Sequence, residues 1–249
     1  MPLGFKGNIL TTSSSAVVAA NTQAATWEIK SGATGWSSWT NLYAFGDESL
    51  MGAWDGSNYT TDSKITVYPQ DSSFYFNTSN TWTIEFWIGF TGPVLIDQPQ
   101  KIINITNDEF LSEYTNDNFE TTWNTSQDKF SVSLGNTGAV AYVSTSSSLQ
   151  HFAFQSDGNG RYDFHANGQR QYGSTGNSNS TSARSVAIGM IGSRNFNNEP
   201  RIVIDEIRIS NIRRYPNFQY TVPTSAFTTD ENTLALFHCD GNRDDSSRA

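Results

Sequence analysis

Short runs in which apolar and polar residues alternate recur along most of the chain. The segment KFSVSL at 129–134 places its Phe, Val and Leu on one side and its serines on the other. The segment TWTIEFWIGF at 81–90 also has large apolar residues at every second position. A β-strand turns successive side chains to opposite faces, whereas a helix repeats about every 3.6 residues. The alternation therefore predicts an all-β fold whose strands bury one face.

Turn residues separate these runs. Asn167-Gly168 stands at the centre of RYDFHANGQRQY, and Asn-Gly favours a tight turn with positive φ at both residues, so this segment predicts a β-hairpin. Further short strands are expected at ITV, GAVAYVS, LQHFAFQ, SVAIGMIG and RIVIDEIRIS. Short strands without helical segments between them indicate an antiparallel two-sheet sandwich and not alternating β–α units.

Composition and charge exclude several classes of protein. Ser, Thr and Asn supply 81 of the 249 residues, and most of them are expected on the outward half of the strands and in the turns. The formal net charge of −9 argues against a nucleic-acid surface, which needs clustered Lys and Arg. The ten arginines all lie in 161–249. Six of them fall within one stretch that could form a mildly basic face, although solvated side chains on alternating strand faces are the favoured interpretation: Arg184, Arg194, Arg201, Arg208, Arg213 and Arg214. The sequence contains no run of about 18 apolar residues, so no membrane-spanning helix is predicted. Cys239 has no second cysteine with which to form an internal disulfide.

Three segments in a fixed order form a recognisable signature. They are the TIEFW run at 83–87, the DEIRIS run at 205–210 followed by Arg-Tyr and Pro-x-x-x-Phe, and the closing L-x-x-x-H-x-D-G run. Over roughly residues 45–245 the chain thereby resembles the concanavalin A-like, laminin-G-like jelly rolls of tailed-phage structural proteins, including those of marine cyanophages. The resemblance implies two packed, curved antiparallel sheets in which the end of the chain pairs near the beginning of the domain.

The chain is divided into two parts by this resemblance. Residues 45–249 are interpreted as the laminin-G-like jelly-roll domain, and residues 1–44 as an N-terminal arm with one or two strands of uncertain membership. The arm begins with small polar residues, and its Trp27, Trp36 and Trp39 are the expected anchor for assembly. The first residues lack the basic and apolar pattern of a secretory signal, so we expect synthesis in a host cytoplasm.

The resemblance implies a non-enzymatic protein of the virion surface, either a capsid decoration or a tail-fibre or appendage component. Such a protein acts through contacts with other virion proteins, and we expect a homo-oligomer without nucleic-acid or membrane partners. Lectins and hydrolases share this fold, so fold alone does not decide function. A carbohydrate-binding adhesin that recognises host-surface glycans is the first alternative, and a glycoside hydrolase is the second.

Catalytic motifs for hydrolysis or phosphate chemistry do not occur in the sequence. Glycoside hydrolysis needs two carboxylates about 5 to 10 Å apart across a cleft. Hydrolases of this fold often carry Glu-x-Asp-x-x-Glu along one strand, and that pattern is absent here. Glu85 and Glu206 form the substitute pair, although alternation favours placing each on the polar face of its strand. We therefore expect no enzymatic activity.

A calcium ion is the cofactor that the sequence suggests. Counting by two from Val203 places Asp205 on the same side as the core residues Ile207 and Ile209. A buried carboxylate must be hydrogen-bonded, paired or bound to a metal, and Asp240 is a second candidate ligand. The favoured alternative is that Asp205 accepts hydrogen bonds from backbone N–H groups or from Arg.

The three histidines have no metal-binding spacing. His151, His165 and His238 are therefore interpreted as structural histidines, with His165 exposed beside the Asn167-Gly168 turn.

Sugar binding would need exposed aromatic side chains next to amides, carboxylates and backbone N–H groups. Trp54, Trp123 and Tyr172 occur in polar, turn-rich segments and are the candidate carbohydrate-binding residues. The alternative for each is a partly buried aromatic side chain that caps the edge of the sandwich.

Overall fold

The computed structural model describes fourteen parts of the chain, and every regular element in them is a β-strand. The described residues are 27–31, 36–39, 44–46, 49–52, 62–69, 76–77, 79–91, 100–106, 119–124, 129–134, 137–141, 149–175, 185–191 and 201–240. The strands are β1 (Trp27–Ser31), β2 (Trp36–Trp39), β3 (Ser49–Gly52), β4 (Asp62–Pro69), β5 (Thr81–Thr91), β6 (Gln100–Thr106), β7 (Phe119–Asn124), β8 (Lys129–Leu134), β9 (Thr137–Ala141), β10 (Gln150–Asp157), β11 (Arg161–Ala166), β12 (Gln169–Thr175), β13 (Ser185–Ile191), β14 (Arg201–Ser210) and β15 (Thr233–Phe237). The described residues contain no helix that is long and apolar enough to cross a membrane.

All strand pairs are antiparallel and fall into two sheets. One sheet has the order β1-β4-β13-β6-β7-β8-β9. The other has the order β12-β11-β10-β5-β14-β3-β2, with β15 pairing to β14 beyond the end of β3. The predicted all-β, antiparallel fold is confirmed. The two strands of the predicted arm, β1 and β2, each join a different sheet.

One face of the eight-stranded sheet carries a large aromatic core. Trp82, Phe86, Phe152, Phe154 and Phe164 are all buried. Their rings meet across neighbouring strands, because residues opposite each other in an antiparallel pair share a face. The apolar residues at alternate positions of β5 and β10 are therefore buried on one face of the sheet, as the alternation predicts.

The predicted hairpin is confirmed between β11 and β12. Asn167 has φ of 48° and Gly168 has φ of 77°, so both central residues of the turn are left-handed, as a two-residue hairpin requires. Ala166 and Gln169 pair on either side of the turn.

A β-bulge in β14 changes the predicted orientation of Asp205. Opposite β5, Asp205 pairs with Trp87 and Arg208 pairs with Glu85, so β14 contains one extra residue there. Ile209 pairs with Ile84 on the aromatic core face, whereas Asp205 lies on the opposite face with Trp87. The expectation that Asp205 shares a face with the isoleucines that follow it was wrong, because counting by two does not hold across a bulge.

Candidate binding site

The second face of the eight-stranded sheet is covered by residues 211–232, which we call the strap. Side chains of β5 hold its beginning, since the hydroxyl of Thr83 donates to the carbonyl of Ile212 over 2.7 Å. Gln155 of β10 holds its middle with both ends of its amide. The Gln155 Nε2 donates to the carbonyl of Tyr215, and the backbone N–H of Tyr215 donates to Oε1 over 3.0 Å. The buried side-chain amide of Gln155 thus makes the two hydrogen bonds to Tyr215 that a neighbouring strand's backbone would make.

Glu85 is the charged centre beneath the strap. Arg208 donates to Oε1 from two nitrogens over 2.8 Å each, and the hydroxyl of Tyr215 donates to Oε2 over 2.5 Å. Nε2 of His151 lies 3.3 Å from Oε2, and Nε of Arg214 lies 3.6 Å from Oε1. Burial alone would raise the pKa of Glu85, but the contact with His151 and the charge of Arg208 lower it. Glu85 is therefore a carboxylate held ionised inside the protein.

Glu85 lies on the face of β5 opposite the aromatic core, as the alternation predicts, whereas the interpretation of Arg208 and Arg214 as solvated side chains was wrong. Glu85 is fully buried because the strap, and not water, covers its face of the sheet. Arg214 binds Asp230 of the strap through two nitrogens, over 2.9 and 2.8 Å, in addition to its approach to Glu85.

Glu206 is also enclosed. Its Oε2 accepts the backbone N–H of Phe227 over 2.8 Å, and its Oε1 lies 2.7 Å from Nδ1 of His238. Only 1% of its side-chain surface is exposed, because it lies in the bulge under the end of the strap. Burial raises the pKa of Glu206, opposed by the hydrogen bond with His238. Both predicted glycosidase carboxylates are therefore occupied by protein partners.

Asp205 is buried, and its hydrogen bonds match the favoured alternative to calcium. Oδ2 accepts the backbone N–H groups of Ala44 and Phe45 over 2.7 and 3.3 Å, and Oδ1 accepts that of Glu206 over 3.0 Å. Burial raises the pKa of Asp205 to about 7, against the two hydrogen bonds from Ala44 and Phe45. A Cβ on Gly46 would lie 2.2 Å from Oδ1 of Asp240, so the end of the described chain does come close to the beginning of the domain.

Calcium at Asp205 and Asp240 stays a prediction. In the part of the chain that the structure describes, no three His, Cys, Asp or Glu side chains are grouped as a metal site.

The histidines differ in their environments. His165 is buried, so its predicted exposure was wrong: the strap crosses it, and Nε2 lies 3.3 Å from the carbonyl of Asn217. Burial lowers the pKa of His165 to about 4. Nδ1 of His151 lies 2.7 Å from the hydroxyl of Tyr220, whose ring stacks on that of Tyr215 at 3.7 Å.

An exposed surface forms where the strap meets the hairpin. The backbone N–H of Arg170 donates to the carbonyl of Phe218 over 2.8 Å, and that of Tyr220 donates to Gly168 over 2.9 Å. Between them the amides of Gln169 and Gln219 hydrogen-bond over 3.0 Å. We call this the hairpin surface, and its exposed members are Asn167, Gln169, Asn217, Phe218 and Gln219.

Phe218 is the prominent side chain of the hairpin surface. It is 67% exposed, and it is the one large hydrophobic side chain that is exposed to solvent among the residues that the structure describes. The guanidinium carbon of Arg170 lies 3.3 Å from its ring centroid, so a cation fixes one face of the ring. Backbone hydrogen bonds and the amide pair of Gln169 and Gln219 hold the strap against the hairpin beside the ring, so the ring is presented on a fixed support. A ring beside amide groups is the kind of surface that small ligands bind.

The predicted carbohydrate-binding aromatics lie elsewhere. Trp54 lies outside the described residues. Trp123 and Tyr172 were expected near turns, but they lie within strands, opposite Phe130 of β8 and Phe164 of β11. Their role in sugar binding stays a prediction.

The predicted anchor residues lie at strand ends. Trp27 begins β1 and pairs with Pro69, while Trp36 and Trp39 bound β2. No contact with another chain tests their role in assembly.

The hairpin surface was not predicted. Its sequence signal is the Asn-Gly turn followed closely by Arg170, together with Tyr-Pro-Asn-Phe in a polar stretch. Neither segment shows that the two meet, because 47 residues separate Arg170 from Asn217 in the chain.

No protein-family model matches the chain, and no curated protein matches it. Solved structures with a similar fold include the botulinum neurotoxin type G receptor binding domain, with a TM-score of 0.52 and 11% identity over 77% of this chain and 44% of that one. The botulinum neurotoxin serotype D binding domain is similar at a TM-score of 0.52 and 12% identity, over 82% of this chain and 45% of that one. The chain thus spans less than half the length of these structures. At this identity the likeness concerns the fold alone, and it identifies this chain as a β-sandwich.

Proposed function

We propose that this chain is a non-enzymatic surface protein of a tailed-phage virion, a capsid decoration or tail-fibre component built on a laminin-G-like jelly roll, and that it works by binding. The segments that carry the sequence resemblance support this proposal. Arg214 and Tyr215 reach Glu85, and Phe227 of the Pro-x-x-x-Phe segment binds Glu206, so the signature consists of the residues that fasten the strap. The two solved structures of similar fold are named as a receptor binding domain and a binding domain, which agrees with a binding role.

The observation on which the proposal depends is the contrast between the enclosed and the exposed groups. Glu85, Asp205 and Glu206 are all buried and hydrogen-bonded to protein atoms. The exposed groups of the hairpin surface are an aromatic ring and amides, which bind without reacting.

Purified particles of the source phage provide the test of virion membership. We expect mass spectrometry to detect the protein in particles that have been freed of host lysate, and an antibody to label their surface in electron micrographs. Absence from purified particles would contradict the proposal.

Recognition of a host-surface glycan is the second candidate, and exposed Phe218 favours it. An aromatic ring takes the apolar face of a sugar, and Gln169 and Gln219 offer donors and acceptors to its hydroxyls. A glycan array with and without calcium is the experiment, comparing the natural protein with Phe218→Ala and with Trp54→Ala. Loss of a signal in Phe218→Ala alone would assign the sugar to the hairpin surface. Release of reducing sugar from any bound glycan would instead revive the hydrolase alternative.

A further inference from the structure

Three arginine side chains surround one buried carboxylate beside the hairpin surface. Nε of Arg161 lies 3.1 Å and Nη1 of Arg170 lies 3.4 Å from Oδ1 of Asp163. Nη2 of Arg213 contacts the other oxygen, Oδ2. We call Arg161, Arg170 and Arg213 the arginine cluster. Three guanidinium charges against one carboxylate leave an excess of two positive charges within this group.

Nearby acidic residues are already engaged elsewhere. Glu85 pairs with Arg208, and Asp230 pairs with Arg214. Asp157 is different, because its carboxylate accepts only the backbone N–H groups of Asn159 and Arg161 in these contacts, so its negative charge stays near the cluster and reduces the excess. Three arginines in one group are unexpected in a chain with a net charge of −9, and their field would attract an anionic ligand.

One donor of the cluster is buried without a hydrogen-bond partner. Nε of Arg213 is inaccessible to solvent, and no acceptor among the described residues takes its proton. Buried donors are nearly always satisfied, and leaving one unpaired costs about 1–3 kcal/mol. A ligand would meet the part of the Arg213 side chain that stays accessible, 22% of its surface, and not the buried Nε.

The cluster opens at the edge of the sheet. The side chain of Arg161 is 34% exposed, and β12, the neighbouring strand, is the edge strand. Gly173 of β12 lies opposite Asp163, and a Cβ there would lie 2.6 Å from Oδ1 of Asp163 and 2.7 Å from Nη2 of Arg161. Because glycine has no Cβ, the space beside Gly173 is left for the guanidinium of Arg161. Arg170 joins the cluster to the hairpin surface, since it contacts both Asp163 and the ring of Phe218.

We propose that the arginine cluster binds the anionic group of an acidic saccharide, a carboxylate, sulfate or phosphate ester, while a sugar ring of that saccharide stacks on Phe218. This inference rests on the proposed binding function and specifies the chemical class of its ligand. Guanidinium groups present planar pairs of donors that match such oxyanions. An acidic peptide would satisfy the charges but would leave the open face of Phe218 and the amides of Gln169 and Gln219 unused.

The test compares acidic saccharides with their neutral forms by calorimetric titration of the full chain. The probes are oligogalacturonate and its methyl ester, dextran sulfate and dextran, and sialyllactose and lactose, with sodium sulfate and an oligoglutamate peptide as non-saccharide anions. We expect at least one acidic saccharide to bind about tenfold or more tightly than its neutral form, the worth of one charged hydrogen bond. Arg161→Gln should abolish that difference, and Arg161→Lys should restore part of it.

Two variants separate the site from general effects of charge and of folding. Lys101→Gln removes the same charge from β6 of the other sheet and should leave binding unchanged. Phe218→Ala should weaken both forms of the saccharide, and its melting midpoint should match that of the natural protein because its ring is exposed.

The outcomes that overturn the inference are distinct from failure of the proposed function. Equal binding of acidic and neutral saccharides, weakened by Phe218→Ala, would overturn the role of the cluster and leave glycan binding intact. Sodium sulfate binding as tightly as dextran sulfate, or oligoglutamate binding unaffected by Phe218→Ala, would also overturn it. No binding of any saccharide would remove the glycan as ligand, whereas virion membership is decided separately by the particles.

Discussion

Glu85 shows how one residue can fix an irregular segment. Its two oxygens receive Arg208 from the neighbouring strand and Tyr215 from the strap, while His151 approaches from β10. Burial raises the pKa of Tyr215, and the charge of Glu85 raises it further, so the hydroxyl remains a donor to the carboxylate. The free energy of the ion pair itself is offset by desolvation, but each partner depends on the others being present.

Replacing Glu85 by Gln is expected to lower the free energy of unfolding by about 3–5 kcal/mol, the usual cost of removing one partner of a buried pair. The physical reason is that Arg208, which is mostly buried, keeps its charge without a counterion. Chemical denaturation monitored by tryptophan fluorescence measures the change. Glu231→Gln, at an exposed position of the strap, is the matched control and should change stability by less than about 0.5 kcal/mol. A small effect of Glu85→Gln would show that solvent reaches the carboxylate.

Asp205 and His165 respond to pH in opposite directions. The pKa of Asp205 rises from 3.8 to about 7 on folding, so between these values the folded state holds a proton that the unfolded state has lost. The contribution of Asp205 to the free energy of unfolding therefore falls as pH rises through this range. The pKa of His165 falls from 6.5 to about 4, so its contribution to stability rises as pH increases over that interval.

Asp205→Asn should remove the pH-dependent contribution of Asp205 to stability and leave that of His165 in place. Between pH 5 and pH 7.5 we expect the unfolding free energy of the variant to rise relative to that of the natural protein, by about 2–3 kcal/mol. Urea denaturation at several pH values measures this difference, in which the contributions of other groups largely cancel. His165→Gln is the control with the opposite sign. Parallel pH profiles for Asp205→Asn and the natural protein would contradict the raised pKa.

At the scale of elements, the strap behaves as an extra layer of the eight-stranded sheet. Phe218 and Tyr220 make backbone hydrogen bonds to the hairpin turn, and Gln169 and Gln219 form an isolated bridge. Gly168 is essential to this contact: a Cβ there would lie 2.4 Å from the carbonyl oxygen of Tyr220. The turn therefore both reverses the chain and receives the strap.

Gly168→Ala should detach the strap from the hairpin. Two costs add: the left-handed backbone, about 1–2 kcal/mol for Ala, and the clash with Tyr220. Gly160→Ala is the matched control, because its φ is 85° and a Cβ there meets nothing within 4 Å. Hydrogen exchange should show faster exchange of the Arg170 and Tyr220 amides in Gly168→Ala only. Equal exchange in both variants would mean that the strap is held independently of the turn.

The elements themselves could be predicted from local patterns, and the covering of the sheet could not. Alternation located β5, β8 and β10, and Asn-Gly located the hairpin, because each depends on residues close together in the chain. The polar face of β5 has the same sequence pattern whether water or the strap covers it. The same limit applies to the binding site, since Phe218 and Arg170 meet only through the path of the strap.

At the scale of the whole molecule, the residues before the predicted domain contribute one strand to each sheet. β1 is the edge of the seven-stranded sheet through its pairing with β4, and β2 is the edge of the eight-stranded sheet through its pairing with β3. The described strands begin at Trp27, so a deletion of residues 1–25 leaves every described pairing in place. A deletion of residues 1–40 removes both edge strands and leaves the backbone groups of β3 and β4 that faced them unpaired.

These two deletions separate folding from the proposed assembly role of the arm. The shorter deletion is expected to keep the melting midpoint of the natural protein and to lose incorporation into particles, because the anchoring hypothesis places the contacts with other subunits in the arm. The longer deletion should lower the midpoint and promote aggregation, since exposed strand edges pair with other chains. Thermal denaturation and light scattering measure the first property, and quantitative detection in purified particles measures the second. Normal incorporation after the shorter deletion would contradict the hypothesis that the arm anchors the protein.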